Sequence, residues 1–296
     1  MNVLLTGASG FLGKYILNSI KKNSNYKTLG RTYSDYLFDI STSVPKFKEQ
    51  FDLIIHNAGK AHFIPKSEFE KKIFYDVNVQ GTINLLEGLA KSYIPRYFIF
   101  ISSVSVYGIT KGHLIDETTP LLATDSYGLS KIQAEITVSD WCKKHNVKCT
   151  ILRLPLVVGA NPPGNLGSMI RGIKKGYYFN IAGGKAKKSM VLANDVSQII
   201  LQVAEKGGIY NLTDGINPTF FELSTILASR FKKKKILNLP LIFAKFLALI
   251  GDIVGNKFPL NSDKLSKITS TLTFDDSKAR LSFGWNPNKV LDNINT

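Results

Sequence analysis

The sequence predicts an α/β protein built on a doubly wound parallel sheet, and three observations predict it. A glycine turn, Gly7-Ala8-Ser9-Gly10-Phe11-Leu12-Gly13, follows the apolar run Val3-Leu4-Leu5 directly and opens an amphipathic segment. Short apolar runs then alternate with helical patterns through the first half of the chain. Past Val158 this alternation gives way to a looser texture, which points to a smaller α/β lobe interleaved in the C-terminal half. Strands and helices in alternation make a parallel sheet covered on both faces, with ligands beyond the carboxyl ends of its strands.

In chain order, residues 2–5 read as a buried strand and residues 11–22 as the helix after the turn. Further apolar runs at 27–29, 53–56, 97–102 and 149–154 read as strands. Helical patterns fall at 68–92, in one or two pieces, and at 127–144. The loop Ala160-Asn161-Pro162-Pro163-Gly164-Asn165 precedes a helix at 166–175, a strand at 209–212 that returns to the sheet, and a helix at 220–231. Residues 1–158, with returning segments at about 189–213, are expected to form the dinucleotide-binding domain, and 159–296 mainly the second lobe.

Each glycine of the turn has a task. Gly7 permits the tight turn, Gly10 lets backbone approach a pyrophosphate, and Gly13 lets the helix pack close to the strand. The amides that open the helix, at Phe11 and Leu12, add free donors and the positive end of its dipole.

Composition is that of an ordinary globular protein, and the opening residues lack the basic and apolar regions of a signal peptide. Cys142 and Cys149 make neither a metal pattern nor a disulfide framework, so a reducing cytoplasm is expected and no metal. The net charge of +16 raises nucleic acid as a partner, but the lysines are spread out and no basic motif interleaved with aromatics supports it. The dense run at 232–235 is read as a solvated face, with anionic lipid as the alternative. Residues 239–254 are apolar but too short to span a bilayer, and they read as a helix packed on the core. Peripheral membrane contact through that helix and the lysine run remains the alternative.

Tyr127 and Lys131 stand at i and i+4, on one face of the helix 127–144. A neighbouring ammonium favours the phenolate and brings a tyrosine towards the working range of an acid–base catalyst. Tyr107 and Lys111 repeat the spacing, but they lie in a loop where the two need not face each other. The strand ahead of Tyr107 delivers the hydroxyls of Ser102, Ser103 and Ser105 to the carboxyl edge of the sheet.

With these residues in place, the chain resembles the extended short-chain dehydrogenase/reductases in their NAD-dependent epimerase/dehydratase branch, and so a Rossmann-like fold. The resemblance runs over essentially the full length. It is carried by the glycine turn, Asp39-Ile40, His56-Asn57-Ala58-Gly59, Asn78-Val79-Gln80-Gly81-Thr82, Ser103, Tyr127 with Lys131, Leu152-Arg153-Leu154-Pro155, Ser277-Lys278-Ala279-Arg280 and Gly284-Trp285-Asn286-Pro287. It implies that Tyr127 moves a proton at a sugar oxygen, that Ser103 hydrogen-bonds the same oxygen, and that Lys131 holds the nicotinamide ribose. Ser102 and Ser105 are the fallbacks for Ser103. It places Asp39 and Ile40 near the adenine, and Asn57, Ala58, Gly59, Asn78 and Leu154 along the cofactor. Asn165 and Lys188 are placed near the diphosphate of a UDP-sugar. It also implies a homodimer through the helices of 68–92 and 127–144.

Many NAD-preferring relatives carry an acid at the end of the second strand, where this chain has Gly30-Arg31. Arg31 could pair with a 2′-phosphate, so NADP(H) is preferred, with NAD(H) as the alternative. The positions after Ser103 that serve dehydratases as an acid–base pair are Val104 and Ser105, which disfavours dehydration. The residues 163–170 and 263–274 resemble bacterial UDP-4-keto-6-deoxy-hexosamine 4-reductases of surface polysaccharide biosynthesis, and UDP-glucose 4-epimerases lie close by. The expectation is therefore a reductase of that C4 ketone. The alternatives are a UDP-glucose or UDP-N-acetylglucosamine 4-epimerase with tightly bound NAD and, more distantly, a non-catalytic NAD(P)-sensing protein.

Overall fold

The apolar runs expected as strands do form strands, and they share one sheet. A computed structural model describes residues 1–61, 65–233, 235–255, 258 and 260–294. In chain order the first half runs β1 (Asn2–Thr6), α1 (Phe11–Ile20), β2 (Asn25–Gly30), β3 (Tyr36–Leu37), β4 (Leu53–His56) and α2 (Glu68–Tyr75). A π-helical turn (Asp76–Gln80) leads to α3 (Gly81–Ala90), β5 (Tyr97–Ser103), a 3-10 turn (Val104–Tyr107), β6 (Gly112–Ile115) and α4 (Ser126–Lys144). Then come β7 (Lys148–Leu154), β8 (Leu156–Val158), α5 (Gly164–Lys175), β9 (Phe179–Ile181), β10 (Met190–Leu192), α6 (Ala193–Val203) and β11 (Gly208–Asn211). The chain closes with α7 (Phe220–Arg230), β12 (Leu237–Leu239), α8 (Leu241–Val254), α9 (Ser262–Thr269), β13 (Leu272–Phe274), α10 (Ser277–Phe283) and α11 (Val290–Asn293).

Among the described residues the main sheet has seven strands in the order β11-β7-β5-β4-β1-β2-β3, each pair parallel. Both faces are covered, which is why β1 and β4 read as unbroken apolar runs and not as an alternation. Val3 and Leu5 meet Ile16 and Ile20 of α1 and Val196 and Ile200 of α6. Leu4, pointing the other way, joins Leu85, Leu86 and Leu89 of α3 and Ala134 and Val138 of α4. The chain winds outward in opposite directions from β1 and β4, which pair with Thr6 beside His56. That reversal opens a crevice beyond their carboxyl ends, where doubly wound sheets bind ligands.

The helical pattern expected over 68–92 is α2 and α3 joined by the π-helical turn, with buried Asn78 on that turn. Three two-stranded parallel ladders, β8 with β10, β9 with β12 and β6 with β13, lie outside the main sheet. The helix expected to pack on the core at 239–254 is corrected. As α8 it buries only Ala244, Ala248 and Gly251, while its large side chains face outward. The cause is close approach: a Cβ on Gly251 would lie 1.8 Å from the Leu260 carbonyl oxygen. Of the lysine run, Lys234 lies outside the described residues.

Packing of α1 on β1 rests on Gly13, whose missing Cβ would sit 2.0 Å from the Gly7 carbonyl oxygen. Backbone atoms cannot step aside as a flexible side chain can. Gly13→Ala should therefore destabilise the protein by about 1–3 kcal/mol, by analogy with overpacked cores. Urea denaturation of both proteins measures it, and an unchanged midpoint would refute the packing argument.

Candidate active site

The crevice between β1 and β4 begins at Gly7, whose φ of 71° suits a residue without a side chain. A Cβ there would meet the Ala58 Cα at 2.7 Å. The Gly7 carbonyl accepts from Gly10 N at 3.1 Å and from Asn57 Nδ2 at 3.1 Å, tying the turn to the end of β4. Gly10 N-caps α1 without a capping side chain, and the first turn of the helix carries no acid. The amides of Phe11, Leu12 and Gly13 precede the first intrahelical donor, Lys14 N, which bonds the Gly10 carbonyl, so these amides and the dipole of α1 are available to an anion. Around Gly10 only the Gly7 oxygen comes within 4 Å of a built Cβ, which leaves the turn open. Such a donor set fits the diphosphate of a dinucleotide.

Behind the turn runs a chain of buried hydrogen bonds. The Ala58 amide donates to Thr6 Oγ1 (3.0 Å), which lies 2.7 Å from His56 Nδ1. His56 Nε2 lies 2.9 Å from Thr82 Oγ1, whose proton goes to the Asn78 carbonyl (2.6 Å). Because Thr82 spends its proton on a carbonyl, Nε2–H is the donor there; Thr6 Oγ1, already accepting from Ala58, gives its proton to Nδ1, and the imidazole is neutral. Burial, with the Lys131 charge adding to it, holds the His56 pKa down to about 3. The Asn78 side chain accepts from Lys60 N (2.7 Å) and donates to the Lys60 carbonyl (3.1 Å) and to Ser130 Oγ (2.9 Å). Asn57, Ala58, Gly59 and Asn78 thus belong to one scaffold reaching from β4 to α4.

Among the residues expected along a cofactor, Arg31 follows β2 directly, is exposed, and makes no ion pair among the described residues. Asp39 accepts from the Ser41 amide (3.0 Å) and hydroxyl (2.6 Å), closing the turn after β3. Ile40 is buried and its carbonyl accepts from Asn84 Nδ2 at 2.6 Å. Leu154 ends β7 and is buried.

At the end of β5, Ser103 stands near enough to Tyr127 for its hydroxyl to favour the phenolate, while it donates to Ser105 Oγ at 3.1 Å. Ser103 Oγ also accepts from the Ser105 amide at 3.2 Å. Ser102 turns away, donating to Glu135 Oε1 at 2.5 Å. Asp125 N-caps α4 by accepting from the Tyr127 and Gly128 amides at 3.2 and 3.0 Å, which fixes where the helix begins and hence where Tyr127 stands. The other tyrosine with this spacing, Tyr107, is fully buried, donates to Asn211 Oδ1 (2.8 Å) and accepts from Arg153 Nη1 (3.2 Å), while Lys111 is exposed.

Lys131 departs from expectation. Its ammonium donates to the Ile101 carbonyl at 2.7 Å and lies 4.0 Å from the centre of the Phe100 ring. Burial pushes its pKa down to about 7, against the opposing pull of Glu135. The Tyr127 phenol is pushed up by burial, with the nearby Ser103 hydroxyl opposing the rise and the Asp125 charge adding to it. The lowering by Lys131 expected from the i, i+4 spacing is thus corrected, because the ammonium is turned down onto β5.

Sequence reasoning missed the groups beneath these residues. Glu135 receives Arg153 Nε at 3.1 Å and Nη2 at 2.7 Å, with both side chains almost wholly buried. The signal was present: a lone arginine inside an apolar strand needs a buried partner, and Glu135 lies one turn beyond Lys131. Of the residues expected near a substrate diphosphate, Asn165 is exposed in the first turn of α5. Lys188 is half-buried just before β10, and burial, then the charge of Lys267, pushes it down to about 8. Among the described residues no group of three His, Cys, Asp or Glu side chains could hold a metal ion.

Residues 3–213 match the NAD dependent epimerase/dehydratase family. An N-acetyl-α-D-glucosaminyl-diphospho-ditrans,octacis-undecaprenol 4-epimerase of Escherichia coli O157:H7 is 29% identical over 95% of this chain and 89% of its own length. A UDP-glucose 4-epimerase of Vibrio cholerae is 28% identical over 98% of this chain and 92% of its own. In three dimensions the chain is similar to the UDP-glucose 4-epimerase of Thermotoga maritima, solved with UDP-glucose, at a TM-score of 0.77 and 20% identity over 99% of this chain and 96% of that one.

The neutral state of His56 makes stability depend on pH. Its folded pKa of about 3 lies below the ordinary value of 6.5. Between those values the unfolded chain binds more protons, so stability is full above pH 6.5 and falls on acidification towards 3. The fall due to His56 should approach about 1.4 kcal/mol per pH unit. Urea denaturation of wild type and His56→Gln from pH 7.5 to 4.5 isolates it: the wild-type curve should fall more steeply, and parallel curves would contradict the assignment.

Proposed function

The chain belongs to the NAD dependent epimerase/dehydratase family, and on that premise we propose that it interconverts the C4 epimers of a UDP-hexose or UDP-hexosamine. The observation that carries the reading is the placement of the Ser103 hydroxyl, at the carboxyl end of β5, close to Tyr127 and beside buried Lys131 on α4. Epimerisation at C4 asks for a proton to leave the sugar oxygen and return to it, and one reversible acid–base group at that oxygen suffices. Tyr127 takes that role, and Ser103 donates to whichever oxygen carries the developing charge. Dehydration would require a further acid–base pair, and Val104 and Ser105 do not supply one. The two relatives over nearly the full length, both named as 4-epimerases, support the same choice.

Gly7, Gly10 and the amides of Phe11, Leu12 and Gly13 would hold the cofactor diphosphate, Asp39 and Ile40 its adenine end, and Asn57, Ala58, Gly59, Asn78 and Leu154 its length. A nicotinamide bound there supplies hydride uptake and return at C4. Lys131 holds the ribose beside it, and Asn165 and Lys188 receive the substrate diphosphate. Lys188 suits an anion, since burial and Lys267 both press on its charge. The second reading, reduction of a 4-keto sugar with NADPH, is favoured by the exposed and unpaired Arg31 guanidinium. A homodimer through α2 and α4 would cover Phe69 and Ile136, which are exposed on those helices.

Purified protein without added reductant should convert UDP-N-acetylglucosamine or UDP-glucose to its C4 epimer, resolved by chromatography. Tyr127→Phe should cut turnover about 10²–10⁴-fold with cofactor affinity intact. Absence of epimer, with NADPH consumed on a UDP-4-keto-6-deoxy sugar, would transfer the assignment to the second reading. For the cofactor, Arg31→Ala should weaken NADP binding about tenfold and leave NAD unchanged, as loss of one charge-assisted contact requires. Fluorescence titration with both cofactors checks it, and equal affinities in wild type would remove the NADP preference.

A further inference from the structure

We propose that α8 seats this protein on the surface of an anionic lipid bilayer, its apolar outer face lying in the interface and a neighbouring lysine cluster meeting the headgroups. The inference stands apart from the reaction proposed above.

The helix is amphipathic in reverse. Its smallest residues, Ala244, Ala248 and Gly251, face the protein, where the two alanines pack against Leu265 of α9 and the edge residues Ile181 and Leu239. Its largest face outward: Ile242 is 80% exposed, Phe246 63% and Ile253 87%, with Phe243, Leu249 and Val254 also exposed. At 100° per residue, positions 249, 242, 253, 246, 250, 243 and 254 fill one continuous arc without a charge. Lys245 and Asp252 share one flank, and Asp252 is turned to Ser262, whose amide and hydroxyl it accepts at 3.0 and 2.5 Å. Apolar surface of this extent on a folded chain marks a docking face.

Charge selects the occupant. Lys232, Lys233 and Lys235, all exposed, lead into β12 and then α8. The end of α5 brings Lys174 and Lys175 to the same place, since Lys174 Nζ lies 4.5 Å from the centre of the Phe231 ring. None of these lysines forms an ion pair among the described residues. Beyond them the whole chain carries +16. A second copy docked through α8 would set this lysine cluster against its own counterpart, whereas anionic headgroups are attracted and the apolar arc is buried in the same step. With 14 residues α8 reaches about 21 Å, so it lies on the bilayer and does not cross it. No described helix is long and apolar enough to span a membrane.

Flotation of the purified full chain with vesicles tests this. Wild type should rise with vesicles containing phosphatidylglycerol and stay behind with phosphatidylcholine alone, and high salt should weaken the association. The triple variant Ile242→Ser, Phe246→Ser, Ile253→Ser should lose binding about tenfold or more, as should Lys232→Glu, Lys233→Glu, Lys235→Glu. These side chains are exposed, and an unchanged melting temperature and cofactor affinity establish that the variants are folded. The proposal is overturned if wild type ignores anionic vesicles. It is likewise overturned if sedimentation shows self-association that the serine variant abolishes while neither protein floats, which would make α8 an interface between copies.

Discussion

The buried ion pair of Glu135 and Arg153 sets the register on which the site depends. It joins α4 to β7 and takes the Ser102 hydroxyl from β5. Arg153 continues the network to Tyr107, and Tyr107 to Asn211 on β11, whose amide meets Glu117. Burial works against the Arg153 charge, and Glu135 and Tyr107 together more than restore it. A pair withdrawn from water this far is held by its geometry: losing one partner typically costs about 3–5 kcal/mol. Because Glu135 is locked over Arg153, the rotation of α4 about its axis is locked too. Lys131 lies one turn earlier and Tyr127 two, so both stand over β5 by consequence.

The other lysines and the histidine near the crevice share one physical theme, charge discouraged by lost water. His56 yields wholly and is neutral, its two nitrogens satisfied by threonine hydroxyls. Lys131 and Lys188 yield in part, to about 7 and about 8. For Lys131 the Ile101 carbonyl and the Phe100 face replace some of the lost hydration. Lys188 meets another cation instead, Lys267. A site of that kind gains most from an incoming anion, because the anion relieves desolvation and repulsion together.

What could be read from the sequence follows from which signals are local. The β1 strand and its glycine turn were legible because burial on both faces leaves an unbroken apolar run and close packing leaves Gly13. The join between α2 and α3 was not, since a π-helical turn changes hydrogen bonding without changing the apolar pattern. Strands β6 and β13 pair across more than half the chain, Gly112 with Leu272, and segments so short carry no alternation. Spacing placed Tyr127 and Lys131 on one helix face correctly. It could not tell where a four-carbon stem would end, and the ammonium found the β5 carbonyl. Nor does spacing pair Glu135 with Arg153, which meet only after α4 has crossed the sheet.

Helix α8 shows why apolar content alone misleads. Read as composition, its residues belong in a core. The direction of the apolar face is decided instead by how near the backbone must come to its neighbour, and the approach of Gly251 to Leu260 admits only small side chains. Alanine and glycine therefore take the inner face, and the leucines, isoleucines and phenylalanines are left outside. Fully burying one such side chain is worth about 1.5–3 kcal/mol. The isolated chain forgoes that for a whole row of them, beside lysines that form no ion pair among the described residues. Solubility and stability of the monomer both argue against such an arc, which is the cost that burial in a lipid interface would remove.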